Sequence, residues 1–177
     1  STWSVMWRRL AATGALFVGL LLVLALFGQA IGMPDGFASA QSLRASDLAE
    51  RDDWTELRRG TTLDLTLFIP AYVAGGLGVV WLVAEASRRR VFVVAALGVG
   101  AVADVVETVL FRRSLGRLIG GATAGDIEAL TSVTRIATVF KYGGIVVAAL
   151  GLIVIAARGP SAEGRPRDPR PADRAIS

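Results

Sequence analysis

Residues Val91–Phe111 read VFVVAALGVGAVADVVETVLF, a near-continuous apolar run whose charged residues are Asp104 and Glu107. About 20 apolar residues suffice for a helix to cross a bilayer, so the run is read as a membrane span. Residues three apart share one helix face, so the two carboxylates point the same way, with Gly100 and Ala96 stacked behind them. A charge near the centre of a membrane helix costs roughly 2.5–3.5 kcal/mol on insertion scales and therefore faces protein or trapped water. Small residues let a second helix approach closely. The face carrying the acids, Gly100 and Ala96 is thus the face expected to pack inward.

The rest of the chain agrees with a membrane class. Of its 177 residues, 53% are hydrophobic and 19% charged, and the mean hydropathy is +0.55. Four segments meet the length a bilayer demands. The fold expected is an all-α integral membrane protein, a four-transmembrane-helix bundle with one polar extramembrane helix between the first and second spans.

Working outward, residues 1–9 form a cytoplasmic N-terminus with Trp3, Trp7, Arg8 and Arg9 at the membrane entry. The first span is expected over 10–31. Its apolar core exceeds that of a signal peptide, although Ala38-Ser39-Ala40 has the form of a cleavage site. Residues 32–60 make the long outer connection, with a turn at Met33-Pro34-Asp35-Gly36 and a polar helix over Gln41–Arg59 stopped by Gly60. The second span covers 61–85. It opens on a Thr61–Asp64 capping box, is kinked by Pro70, and carries a small-residue stripe at Ala71, Gly75 and Gly78.

A tight basic turn through Ser87-Arg88-Arg89-Arg90 leads into the third span, 91–111. Residues 112–135 are expected as an outer loop, with Gly120-Gly121 as the turn and a helix beginning at the Thr123–Asp126 capping box. The fourth span, 136–157, carries Lys141, with Gly144, Ala148 and Gly151 on its face. Residues 158–177 hold four prolines and alternating charge, a composition that does not fold alone.

Ten basic residues fall on the side of the termini and nine on the other, but the triple arginine occupies the shortest loop. The positive-inside rule then places both termini in the cytoplasm. Arginine supplies all but one of the nineteen basic residues, and Ala, Gly, Val and Leu dominate. That bias suits a GC-rich genome and a bacterial inner (plasma) membrane. The positives lie beside spans and in the tail, so nucleic acid is not an expected partner; the bilayer is, with a membrane-protein partner or a second copy of the chain.

With no cysteine and no histidine, cysteine nucleophiles, thiolate ligands, the commonest general base and the commonest metal ligand are missing, and no catalytic residue, metal or cofactor is assigned. The residues that carry any chemistry form an intramembrane polar cluster: Asp64, Asp104, Glu107, Arg135, Lys141 and Tyr142. At about 1.5 Å per residue, Asp104 and Lys141 lie roughly 8–10 Å inside the outer edge of their spans, at matched depth. The acids are expected to pair with Lys141 and Arg135 and so fix helix register. A surplus of acid over base is also what a proton- or cation-coupled transporter would use, with Tyr142 and the backbone freed by Pro70 completing a polar path. A third reading gives Asp64, Asp104 and Glu107 to Mg²⁺ in a lipid-modifying enzyme. The leading expectation is a non-enzymatic accessory or assembly subunit of a bacterial membrane complex.

Overall fold

The computed structural model describes residues 2–83 and 88–158. The N-terminal apolar run forms helix α1 (Thr2–Ala30), and short helices α2 (Phe37–Ala40) and α3 (Ala45–Ala49) follow. Helix α4 (Trp54–Leu63) continues through a π-helical turn (Asp64–Phe68) into α5 (Ile69–Val83). Two long helices, α6 (Arg88–Ile119) and α7 (Ala124–Arg158), complete the order. No strand occurs among the described residues, and four helices there are long and apolar enough to cross a membrane: Ser4–Ala30, Trp54–Leu82, Arg90–Ile119 and Ala124–Ala157. The end of the second expected span at Glu85, part of the basic turn and the tail from residue 159 lie outside the described residues.

The structure corrects three boundaries. The polar helix expected over Gln41–Arg59 is broken into α3 and the first turns of α4, with residues 41–44 and 50–53 outside any helix. Gly60 does not end a helix. It lies inside α4, where a Cβ would meet the Phe37 ring at 2.6 Å and Pro34 at 3.0 Å. Its hydrogen side chain is a packing requirement rather than a stop signal. The Thr61–Asp64 pair is no cap either, because the helix has already run since Trp54; the Thr61 hydroxyl donates back to the Arg58 carbonyl at 2.7 Å.

The third correction concerns residues 112–119, which continue α6 rather than forming a loop, whereas the turn at Gly120-Gly121 and the helix beginning after Thr123 lie where the sequence places them. Gly121, at φ 86°, ends α6. Its N–H donates to the Leu118 carbonyl, and the Ala122 N–H donates to that of Arg117. This is the glycine-capped C-terminus known as the Schellman motif. Asp126 then accepts from both the backbone N–H and the hydroxyl of Thr123 at 2.8 Å, and α7 runs unbroken from there.

Two apolar clusters result. One joins α2–α4 to the α6–α7 tip. Phe37, Leu48, Leu57, Phe111, Leu115 and Ile127 are 0–5% exposed, and the Phe37 and Phe111 rings meet edge to face at 6.0 Å. Burial of this extent makes this end a packed head rather than a set of loose loops. Within it, Ala40 is helical and 1% exposed, so the Ala38-Ser39-Ala40 run is part of the packed structure rather than an extended peptide. The second cluster, at the opposite end, gathers Val79, Val80, Val93, Ala148 and Leu152.

Between them α6 and α7 cross closely. A Cβ on Gly144 would lie 2.7 Å from the Gly100 backbone nitrogen and 2.8 Å from the Ala96 carbonyl oxygen, and Ala148 is buried one turn on. Gly151 receives Val93 in the same way, at 2.7 Å. The stripe on α5 behaves differently. A Cβ on Gly75 would meet Leu20 of α1 at 2.5 Å, one on Gly78 would meet nothing within 4 Å, and Ala71 is only partly buried. That stripe seats α1 rather than the acid-bearing helix.

Candidate functional site

Between the two apolar clusters lies a buried polar network. The Gly100–Gly144 crossing holds α6 and α7 close, and one turn towards the head Lys141 extends its Nζ to Asp104 Oδ1 at 2.6 Å and Glu107 Oε2 at 3.1 Å. Both acids are 1% exposed. For those two oxygens the ammonium is the sole polar partner among the described residues. Glu107 Oε1 accepts from the Thr138 hydroxyl at 2.6 Å, and Thr138 also lies 3.1 Å from the Thr134 carbonyl.

Asp64 joins from the π-helical turn. That turn widens the helix by one residue, with the Ile69 N–H donating to the Asp64 carbonyl, and Pro70 follows with no N–H of its own. Asp64 is 4% exposed and accepts from the Thr108 hydroxyl at 2.6 Å. The Gln41 side-chain amide, buried in the head, donates in turn to Thr108 at 3.2 Å. A single hydrogen-bonded system therefore ties the head to the π turn and α6. Beside it, the Tyr72 hydroxyl is buried near Asp104 without a well-formed hydrogen bond.

Of the six residues expected to cluster, the structure brings together Asp64, Asp104, Glu107 and Lys141 and leaves two outside. Arg135 is exposed and pairs with neither acid. Six residues from Lys141, it sits about 120° around the helix from it. Tyr142 is 52% exposed and faces away from the network; the Lys141 ammonium is 5.7 Å from its ring centroid. The network instead uses Thr108, Thr138, Gln41 and Tyr72. Thr108 follows Asp104 by four residues and Thr138 precedes Lys141 by three, so both were available as same-face partners. Nothing in the sequence marks Gln41.

Three carboxylates face one ammonium, a formal −3 + 1 = −2 when all are ionised. Among the described residues no three of these side chains converge as metal ligands would, so their arrangement lends no support to a Mg²⁺ centre. The network's position, sealed by the head on one side and the valine-rich cluster on the other, suits charge pairing within the bundle. No protein-family model matches this chain, and no curated protein or solved structure matches it.

Proposed function

We propose that this chain is a four-span protein of a bacterial plasma membrane, with both termini cytoplasmic and the head outside. In this reading it is a non-enzymatic accessory or assembly subunit. One observation carries it: among the described residues the buried carboxylates lie in a polar network built on α6, in which Gln41–Thr108–Asp64 ties the head to the π turn and Lys141–Asp104–Glu107–Thr138 ties α6 to α7. Such a network fixes how helices and head sit relative to one another, which is what a docking subunit requires of its scaffold. Affinity purification of the tagged chain from native membranes in mild detergent, followed by mass spectrometry, tests it. A stoichiometric second protein is expected; a lone chain or homo-oligomer would overturn the accessory role.

The charge count favours one other reading, a small proton- or cation-coupled transporter. Two uncompensated buried charges require protons or a bound cation. Purified chain in liposomes would then carry a pH- or cation-driven flux that Glu107→Gln or Asp104→Asn abolishes without unfolding the bundle. No flux from the parent chain rejects this reading.

A further inference from the structure

The α6–α7 hairpin also carries an outward-facing feature that the buried network does not use. A groove of about 520 Å³ runs along its surface, lined by Gly98, Val102 and Val106 of α6 and Val133, Ala137 and Phe140 of α7. The lining is apolar throughout, and Ala103 and Ala137, 8% and 7% exposed, form its floor. The Lys141–Asp104 and Thr138–Glu107 contacts fix the register of the two helices. The same register sets Val133 level with Arg112, so the groove reaches the foot of the head.

At that end the chemistry changes. Seven residues beyond Val106, and so within about 20° of it around α6, stands Arg113; Arg117 follows one turn later on the same side. Arg113 is exposed and pairs with no acid among the described residues. Arg117, also exposed, donates to the Asp126 carbonyl at 2.8 Å and has the Asp126 carboxylate nearby. From Gly98 to Arg113 is roughly 22 Å along the helix, somewhat longer than half of a hydrocarbon core about 30 Å thick.

We infer that the α6–α7 groove is a site for an anionic phospholipid of the head-side leaflet. An acyl chain lies along Gly98–Val106 and Val133–Phe140, and the phosphodiester sits against Arg113, with Arg117 as its second donor. Guanidinium presents paired donors matched to phosphate oxygens, and the apolar channel beneath aligns the chain. The inference rests on the membrane reading alone and is independent of what the buried network does.

The test is native mass spectrometry of the full chain in mild detergent, titrated with phosphatidylglycerol or phosphatidylcholine bearing identical acyl chains. The parent is expected to retain phosphatidylglycerol about fivefold more tightly, as one basic residue near an anionic surface would give. Arg113→Gln should remove most of that preference. Arg135→Gln, equally exposed but off the groove, should leave it intact. Gly98→Leu should weaken both lipids, since a side chain there meets nothing within 4 Å and would fill the groove without disturbing the bundle. Equal effects of Arg113→Gln and Arg135→Gln would reduce the preference to bulk charge and overturn the site. Full lipid retention by Gly98→Leu would overturn it too. So would efficient disulfide dimers of a Val102→Cys chain, because the occupant would then be a second copy. Release of the chain from membranes by alkaline carbonate would instead refute the membrane reading, which separates the two failures.

Discussion

Replacing Lys141 with methionine keeps the length of the side chain and removes its charge. Among the described residues that ammonium is the sole partner of two buried carboxylate oxygens, at 2.6 and 3.1 Å. Without it, Asp104 and Glu107 face one another in a region closed to water, and Glu107 keeps only the Thr138 hydroxyl. Removing one partner of a buried pair typically costs about 3–5 kcal/mol. For a chain of this length that corresponds to a fall in melting temperature of roughly 6–20 °C. Thermal unfolding in a single detergent, followed by tryptophan fluorescence, reads the shift. Adding Asp104→Asn and Glu107→Gln to Lys141→Met should recover much of the loss, because the carboxylates left unpaired are then neutral. Coupling between contacting groups of this kind amounts to about 0.5–3 kcal/mol in double-mutant cycles. A Lys141→Met protein that melts within about 2 °C of the parent would refute the argument that this ion pair holds the bundle.

Other perturbations probe the remaining joints. Gly144→Ala should destabilise by about 1–3 kcal/mol, since its Cβ meets backbone at 2.7 Å and the helices must separate; an unchanged melting curve would place the close crossing elsewhere. Phe37→Ala should cost about 3–5 kcal/mol and increase hydrogen exchange in α2–α4 more than in α5; uniform loss of protection would show that the head is not a separate packing unit. In the head, the Arg51 guanidinium, first by its hydrogen bond and also by its charge, holds the Asp53 carboxyl below the usual range. A depressed carboxyl contributes stability above its unfolded pKa of about 4, lost as pH falls through the lower folded value. Both side chains are partly solvated, so the effect is small and screened by salt. Local exchange around Trp54 should rise below about pH 4 in the parent and lose that dependence in Arg51→Gln.

What could be read from the residues followed from periodicity and length. Four apolar runs of the right size gave four long helices, and the three-residue spacing of Asp104 and Glu107 put both on the face that meets Lys141. The head escaped because its signals were read locally. Arg112, Arg113 and Arg117 look like loop charges, yet Thr108, Phe111, Leu115 and Leu118 recur at helical spacing between them, and all four are buried. Gly60 reads locally as punctuation, but a glycine can equally mark a close neighbour, and that neighbour, Phe37, is 23 residues away in sequence. Depth alone groups Arg135 with the cluster; its angle around α7 points it the other way. Gln41 reaches Thr108 across 67 residues, a contact that only the tertiary fold creates.

The head's core has a consequence for how the chain is made. Leu48 and Phe37 leave the ribosome long before Phe111, Leu115 and Ile127, the residues that enclose them. At synthesis rates of about 5–20 residues per second, the gap between Leu48 and Ile127 lasts roughly 4–16 s. Through that interval α2 and α3 have only α4 to pack on, and the apolar side chains that α6 and α7 cover stay open to chaperones, proteases and neighbouring chains. Biogenesis of this protein is therefore gated by delivery of its last hairpin, and truncations before Ile127 should be degraded however well their earlier helices insert.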